Sequence, residues 1–342
     1  MKRSILLVTA IFITLLFALT SCSKPEVASA PNVILIITDD QGYGDVAFHR
    51  NRWIQTPQLD KLANESFRLT DFHVGTTCAP TRSGLMTGRN CNRVGVWHTV
   101  GGRSLLRKDE VSMADVFKSN GYATGMFGKW HLGDHYPYRP QDRGFDEVYC
   151  LRGGATGVTA DYWNNDYFDD HHFHNEKVVK SKGYSTDAFF AAGQRFIAEQ
   201  VAQKKPFFAY ISTNAPHGPF YAPEKFKSPY AELDRDTKGF FAMIANLDVN
   251  VGRLDRTLAE LGLRQNTIFM FMTDNGGTGG INVYNAGMRG AKASYYDGGH
   301  RVPFFLRWPG GSLRPAGPID ALAHSTDLLP TLIDLCGLDA PT

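Results

Sequence analysis

The chain reads as an α/β protein with a large, mostly parallel central sheet flanked by helices. Two observations predict this class. Short apolar runs alternate with longer stretches whose apolar residues recur at helical spacing, the pattern of successive βα units. Polar and charged residues follow the apolar runs directly, as expected where an open sheet carries a ligand site outside the carboxyl ends of its strands. The 342 residues, less an N-terminal leader, suit one large domain.

The leader comes first. Lys2 and Arg3 open the chain, Ile5 to Leu19 is apolar, and Leu19-Thr20-Ser21-Cys22 resembles a lipobox. Residues 1–22 are therefore expected to be a lipoprotein signal peptide, too short and wrongly flanked for an ordinary membrane span. Cleavage before Cys22 would leave a lipid on that residue, which predicts a membrane partner and a place in the bacterial cell envelope, at the periplasm or the outer surface. Residues 23–31, rich in Ser, Lys, Pro, Glu and Ala, read as a tether. The folded domain spans 32–342.

Within it, Val33–Ile37 is a buried strand. Thr56-Pro57 opens a helix running to about Ser66, with Thr56 as N-cap and Pro57 at the first helical position. Phe67–Val74 alternates apolar and polar residues and reads as one strand. Pro80, with fixed φ and no N–H, favours the first position of a helix and places Cys78 just before it. Met113–Ser119 is a helix closed by Asn120-Gly121, and Tyr122–Phe127 is a strand. The helix 186–202 precedes the strand Pro206–Ser212. The helix Phe240–Leu261 is stopped by Gly262, and the strand Ile268–Met272 follows. The helix Thr326–Cys336 ends at Gly337. Gly153–Asn175, rich in Gly, Asp, Asn, His and aromatics, breaks the rhythm, and such a long irregular stretch is usually functional or mobile.

The strand ends carry the chemistry. Val33–Ile37 leads to Asp39 and Asp40, and Phe67–Val74 leads to Cys78 and Arg82. Tyr122–Phe127 leads to Lys129 and His131, Pro206–Ser212 to Asn214 and His217, and Ile268–Met272 to Asp274 and Asn275. Asp39, Asp40, Asp274 and Asn275 make an all-oxygen donor set, which favours Ca²⁺ or Mg²⁺ over zinc. A helix start beside Cys78 offers free N–H groups to an anion.

Several motifs then share one resemblance. Cys78-Ala79-Pro80-Thr81-Arg82 with Thr87-Gly88-Arg89 resembles the C-x-P-[ST]-R…T-G-R signature of the type I, formylglycine-dependent sulfatases, arylsulfatase-like members of the alkaline phosphatase superfamily. Gly128-Lys129-Trp130-His131-Leu132-Gly133 resembles their second signature, with Phe127 where a smaller residue is usual. Pro216-His217-Gly218-Pro219 resembles their P-H-x-P turn. Met288-Arg289-Gly290-Ala291-Lys292 and Asp297-Gly298-Gly299-His300-Arg301-Val302-Pro303 resemble their late block, with Asp297 in place of the commoner Glu. No role is assigned to His300.

The resemblance implies that 32–342 is a sulfatase catalytic domain hydrolysing sulfate monoesters of aryl or carbohydrate alcohols. It implies that a formylglycine-generating maturation enzyme oxidises Cys78 to 3-oxoalanine, whose hydrated aldehyde is the nucleophile. One Ca²⁺ would be held by Asp39, Asp40, Asp274, Asn275 and residue 78. Arg82 would stabilise the attacking oxygen and Lys129 and Lys292 would bind sulfate. His131 would contact the nucleophile's hydroxyls and help release sulfate, and His217 or Lys292 would protonate the leaving alcohol. The same scaffold leaves open phosphonate monoester or phosphodiester hydrolysis, or calcium-dependent binding of sulfated glycans without catalysis. The family's small C-terminal subdomain is apparently missing, since its start would coincide with Thr342.

Other features narrow the class. The net charge of +2 gives no reason to expect a nucleic-acid partner. Beyond Cys22 and Cys78, three cysteines remain (Cys91, Cys150, Cys336), so no disulfide framework follows and one pair among them stays open. Tyr162, Trp163, Tyr167 and Phe168 either stack on a sugar or aryl group or pack a long loop. His171, His172 and His174 are expected to be solvated and not to bind metal.

Overall fold

The computed structural model describes residues 30–340 other than 159, 312 and 314. The 1–22 leader with Cys22, and nearly all of the tether, lie outside the described residues. The strands are β1 (Asn32–Thr38), β2 (Phe67–Leu69), β3 (Phe72–His73), β4 (Ala123–Lys129), β5 (Glu147–Leu151), β6 (His171–His174), β7 (Lys177–Lys180), β8 (Phe207–Ser212), β9 (Thr267–Thr273), β10 (Phe304–Arg307), β11 (Gly317–Ile319) and β12 (Ala323–His324). Among the described residues, ten of them form one sheet in the order β11-β2-β10-β9-β1-β8-β4-β5-β6-β7. Its centre, β9-β1-β8-β4-β5, is parallel throughout, and antiparallel pairs begin at β10 and at β6.

Continuous apolar runs suit strands covered on both faces. In β1 the alternation divides two cores: Ile34 and Ile36 face one, Val33, Leu35 and Ile37 the other. The first core takes Phe189, Phe190, Phe196 and Ile197 from the helix α4 (Ser185–Gln203) and Phe240 to Leu258 from α5 (Arg235–Glu260), together with Leu59 and Leu62 from α1 (Pro57–Asn64). The second takes Leu85 and Met86 from α2 (Cys78–Thr87), Met113 and Phe117 from α3 (Met113–Ser119), and Leu328 and Leu332 from α6 (Leu328–Cys336).

Register positions the functional end of the sheet. Ile37 pairs with Ser212, Thr38 with Thr273, and Gly128 with Ser212. The residues that follow these pairs therefore emerge side by side along one edge. Gly128 permits this close approach: at its φ of 119° a Cβ would stand 1.9 Å from the Ser212 carbonyl oxygen.

Several expectations need correction. The run Phe67–Val74 is not one strand. It breaks at Thr70-Asp71, where Arg301 donates from Nε and Nη2 to the Thr70 carbonyl (3.0 and 2.6 Å). β2 joins the main sheet, and β3 leaves it to pair with β12. Thr56 does not cap α1 with its side chain. Its Oγ1 accepts from the Ala47 N–H and donates to Asp60, while Asp248 of α5 accepts the free Gln58 and Leu59 N–H groups at 3.0 and 2.8 Å. α2 starts at Cys78 itself, not after it. α5 begins five residues early because Asp234 caps a polar first turn that apolar spacing does not reveal. Gly153–Asn175 is irregular only to Asp170, after which β6 and β7 form an edge hairpin. His172 is buried against Phe189 (centroids 4.8 Å apart), so it is not solvated, and burial pushes its pKa down to about 4. Cys78, Cys91, Cys150 and Cys336 are all free thiols.

Candidate active site

The carboxyl edge of the parallel strands forms the floor of a cleft of about 560 Å³, lined by Cys78, His131, His217 and Lys292 among others. The loop after β1 supplies Asp39 and Asp40, the end of β4 supplies Lys129, and the loop after β9 supplies Asp274 and Asn275. α2 delivers Cys78 at its first position and Arg82 one turn later.

The floor is a buried charge network. Arg82 grips Asp274 Oδ2 with Nε at 3.0 Å and Nη2 at 2.7 Å, and its Nη1 donates to Ser212 Oγ and, at 3.2 Å, to the Lys129 carbonyl. Lys129 Nζ bonds Asp39 Oδ2, and Lys292 Nζ bonds Asp40 Oδ1 at 2.6 Å. Asn275 Nδ2 donates to the same Asp40 oxygen at 2.9 Å, and the Asp40 N–H donates to Asp274 Oδ1 at 3.2 Å. Three carboxylates thus meet three cations. Burial would discharge Arg82 and Lys292, but the neighbouring anions together outweigh it, led by Asp274 for Arg82 and by Asp40 with Asp39 for Lys292, and hold both charged. Asp274 is pushed upward by burial and by Asp39, against the pull of Arg82.

Two ligand groups converge here. Donor atoms of Asp39, Asp40 and His217 lie within 4.8 Å of one another, as do those of Asp39, Cys78 and Asp274. Asp39 Oδ1 and Asn275 Oδ1 are buried and lack hydrogen-bond partners. Unpaired buried oxygens are costly unless something satisfies them. The donor set and these two oxygens fit a hard cation, which Asp39, Asp40, Asp274 and Asn275 would hold.

Cys78 is 3% exposed, and burial pushes its thiol up against the pull of Lys129. As a plain cysteine it is a weak nucleophile, because the thiolate is the reactive form. His217 Nδ1 lies 2.8 Å from the Gly218 carbonyl, which fixes that nitrogen as the donor and turns Nε2 to Asp40 Oδ2 at 3.7 Å. His131 donates from Nε2 to the Thr99 carbonyl at 2.8 Å, leaving a buried, unpartnered Nδ1. Burial first and Lys129 second push its pKa far down, so it is neutral. Gly154 faces this ring at a distance where a Cβ would stand 2.7 Å from Nε2.

All ten sequence-expected residues thus sit at this one strand edge. Four of the five Arg82 N–H groups are engaged by Asp274, Ser212 and the Lys129 carbonyl, which holds its charge fixed beside Asp274. Ser212 and Thr156 escaped the sequence reading, and Tyr167 entered it only as an aromatic that stacks or packs. Ser212 bridges Arg82 and the Lys129 carbonyl, and Asn214 donates to Thr156. Tyr167 Oη lies 2.6 Å from the His217 carbonyl and 3.1 Å from that of Asn214. Ser212 could have been found as the last residue of its strand; nothing local marks Thr156 or Tyr167. Tyr167 is fully buried, so of the four loop aromatics it is a packing residue and not a platform for ligand.

This architecture, a mostly parallel sheet with a charged, metal-ready floor at its carboxyl edge, is that of the alkaline phosphatase superfamily. The family model described as Sulfatase matches residues 31–338, and the chain belongs to the sulfatase family. It is 32% identical to mouse (Mus musculus) arylsulfatase J over 91% of this chain and 54% of that protein. It is 32% identical to human (Homo sapiens) arylsulfatase A over 92% of this chain and 66% of that one. The chain therefore spans about half to two thirds of these curated relatives. Among solved structures, Ps i-CgsB in complex with k-i-k-neocarrahexaose superposes with a TM-score of 0.82 at 32% identity, covering 91% of this chain and 73% of that one.

Proposed function

We propose that this chain hydrolyses sulfate monoesters of carbohydrates, through a formylglycine made from Cys78 and with one Ca²⁺ on the aspartate floor. The observation that carries the reading is residue 78 itself, placed at the floor of the cleft within 4.8 Å of carboxylate oxygens of Asp39 and Asp274. Kinship to arylsulfatases supports the reaction class, and likeness to a structure holding a neocarrahexaose supports a sugar substrate. The hydrated aldehyde would supply a diol nucleophile and the cation would supply positive charge for an anionic ester.

The chain's own residues divide the remaining work. Lys129, wholly buried on Asp39, fixes the charge balance of the floor. Lys292, 21% exposed and lining the cleft, is the cation placed to meet a sulfate oxygen. His217, once protonated at Nε2, faces the cleft and supplies the proton for the departing alcohol. The neutral Nδ1 of His131 accepts a proton when sulfate is released. A lipid on Cys22 would place the enzyme in the cell envelope.

The test is a mass spectrum of the peptide bearing residue 78, from protein produced with a formylglycine-generating enzyme, paired with sulfate release from neocarrahexaose with and without Ca²⁺. Aldehyde at 78 and chelator-sensitive, calcium-restored release are expected. Matured protein that releases no sulfate, or that cleaves an aryl phosphonate monoester far faster, overturns the reading.

A further inference from the structure

The irregular segment borders two hollows. Val158 and Ala160 line the catalytic cleft. Two residues onward, Tyr162, Trp163, Asp166, Phe168, His171 and Lys180 surround a second hollow of about 590 Å³. Two residues of chain span at most about 7 Å, so the hollows adjoin.

The second hollow is built and rigid. Trp163 is 84% exposed on a loop that its own polar groups pin down. Asn165 Nδ2 donates to Asp161 Oδ1 and to the His171 carbonyl, while its Oδ1 accepts from the His171 N–H. Asp170 accepts from the Asp166 and Tyr167 N–H groups. Tyr162, 40% exposed, lies flat on the His171 ring, with centroids 4.1 Å apart and planes 27° apart. The phenol is held this way and the indole stands on the pinned backbone beside it, and such aromatic side chains offer amphipathic contact area at low entropic cost. Single exposed apolar residues are ordinary, but three exposed aromatics around one hollow are a patch of the kind that marks a binding site.

We propose that this hollow is a distal carbohydrate subsite, which binds an unsulfated ring of the same polysaccharide whose sulfate ester occupies the catalytic cleft. The inference rests on the sulfatase reading for the cleft alone. Aromatic faces take the apolar face of a pyranose, and Asp166 with the neighbouring amides accepts and donates to its hydroxyls. Carboxylates repel sulfate, so the ring held here is neutral, with Lys180 the cation at the margin. The preferred substrate is accordingly a polymer in which sulfated and unsulfated rings alternate, not a short sulfated sugar.

Affinity electrophoresis of the full protein in gels containing κ-carrageenan, whose unsulfated rings are neutral, tests this without turnover. Retardation is expected. It should weaken about five- to tenfold in Trp163→Ala and in Tyr162→Ala and persist in Trp53→Ala, an exposed tryptophan elsewhere. Retardation unchanged in both variants, or absent, overturns the subsite. Sulfate release from the same polymer separates the two readings. Release that does not depend on Trp163 sinks the subsite alone; Trp163-dependent retardation without release sinks the hydrolase reading alone.

Discussion

On the floor of the cleft, Asp39, Arg82, Lys129, Asp274 and Asn275 expose no surface, whereas on its rim Trp163 exposes 84%. The floor is held by ion pairs reaching across the sheet, such as Lys129 with Asp39 and Arg82 with Asp274. The rim is held by short-range bonds from Asn165 and Asp170 to backbone within a few residues. Desolvating the floor's charges costs several kcal/mol per ion, offset only while every partner is in place. Trp163 stands in solvent, so substitution there carries no such cost. Chemistry therefore sits where substitution is punished by the fold, and selectivity sits where it is not.

The largest expected effect comes from the histidine between the two regions. His217→Gln is expected to lower kcat by about 10²–10⁴-fold on a sugar sulfate, the usual range for a lost general acid. On 4-nitrophenyl sulfate, whose leaving group needs little protonation, the loss should be much smaller. Equal losses on both substrates would remove His217 from the proton-donating role. Next is the floor itself. Lys129→Ala leaves Asp39 buried without its cation, which should cost about 3–5 kcal/mol in urea unfolding. Calcium should return part of that stability, because a ligand that binds only the folded state stabilises it. A variant as stable as the parent in the presence of chelator would break the contrast between floor and rim.

That contrast also explains what the sequence revealed. The floor was legible because register aligns strand ends: Asp39, Lys129 and Asp274 each follow or end an apolar run, and a parallel sheet brings such positions together. The helices were legible from spacing, but their boundaries were not where the determinants are distant. Asp248 caps α1 from about 190 residues away, and Arg301 breaks the strand at Thr70 from over 230 away. The rim was half legible. Its composition announced a special segment, yet Tyr167 and Trp163 look alike in sequence and part ways only in the fold, one buried beneath His217 and the other in solvent.

A smaller effect concerns a carboxyl just outside the floor. Asp45 is buried against Gly42, Gly277 and Gly280, with Oδ1 unpartnered and Oδ2 accepting from the Gly42 N–H at 2.8 Å. Burial pushes its pKa up to about 7, with only the Gly42 bond opposing. The folded state therefore prefers the protonated acid. The stability it confers is full below the unfolded pKa near 4 and is lost as pH rises through 7. Asp45→Asn should remove that loss, so the variant gains on the parent by about 3 kcal/mol between pH 5 and pH 8. A pH-independent difference between the two proteins would show that this carboxyl titrates normally.

Tyr167 tests whether rim and floor are coupled. It comes from the rim segment, yet its hydroxyl holds the carbonyls of Asn214 and His217, the turn that presents His217 to the cleft. Burial pushes its pKa far above the ordinary value, so it remains a hydrogen-bond donor at any working pH. Tyr167→Phe removes the donor and leaves the half-buried His217 carbonyl short of a partner, while the Asn214 carbonyl keeps the His217 N–H at 3.0 Å; the loss is worth about 1–2 kcal/mol. Since the ring stays, the core packing beneath the loop is conserved, and global unfolding should shift only by that amount. The kinetic signature is more telling. If the hydroxyl acts by orienting His217, kcat on a sugar sulfate falls about tenfold while KM holds, and the loss is much smaller on 4-nitrophenyl sulfate, whose leaving group needs little protonation. If it only supports the loop, KM and kcat move together with stability and to the same extent on both substrates, and the rim then stands as an independent module laid over the catalytic floor.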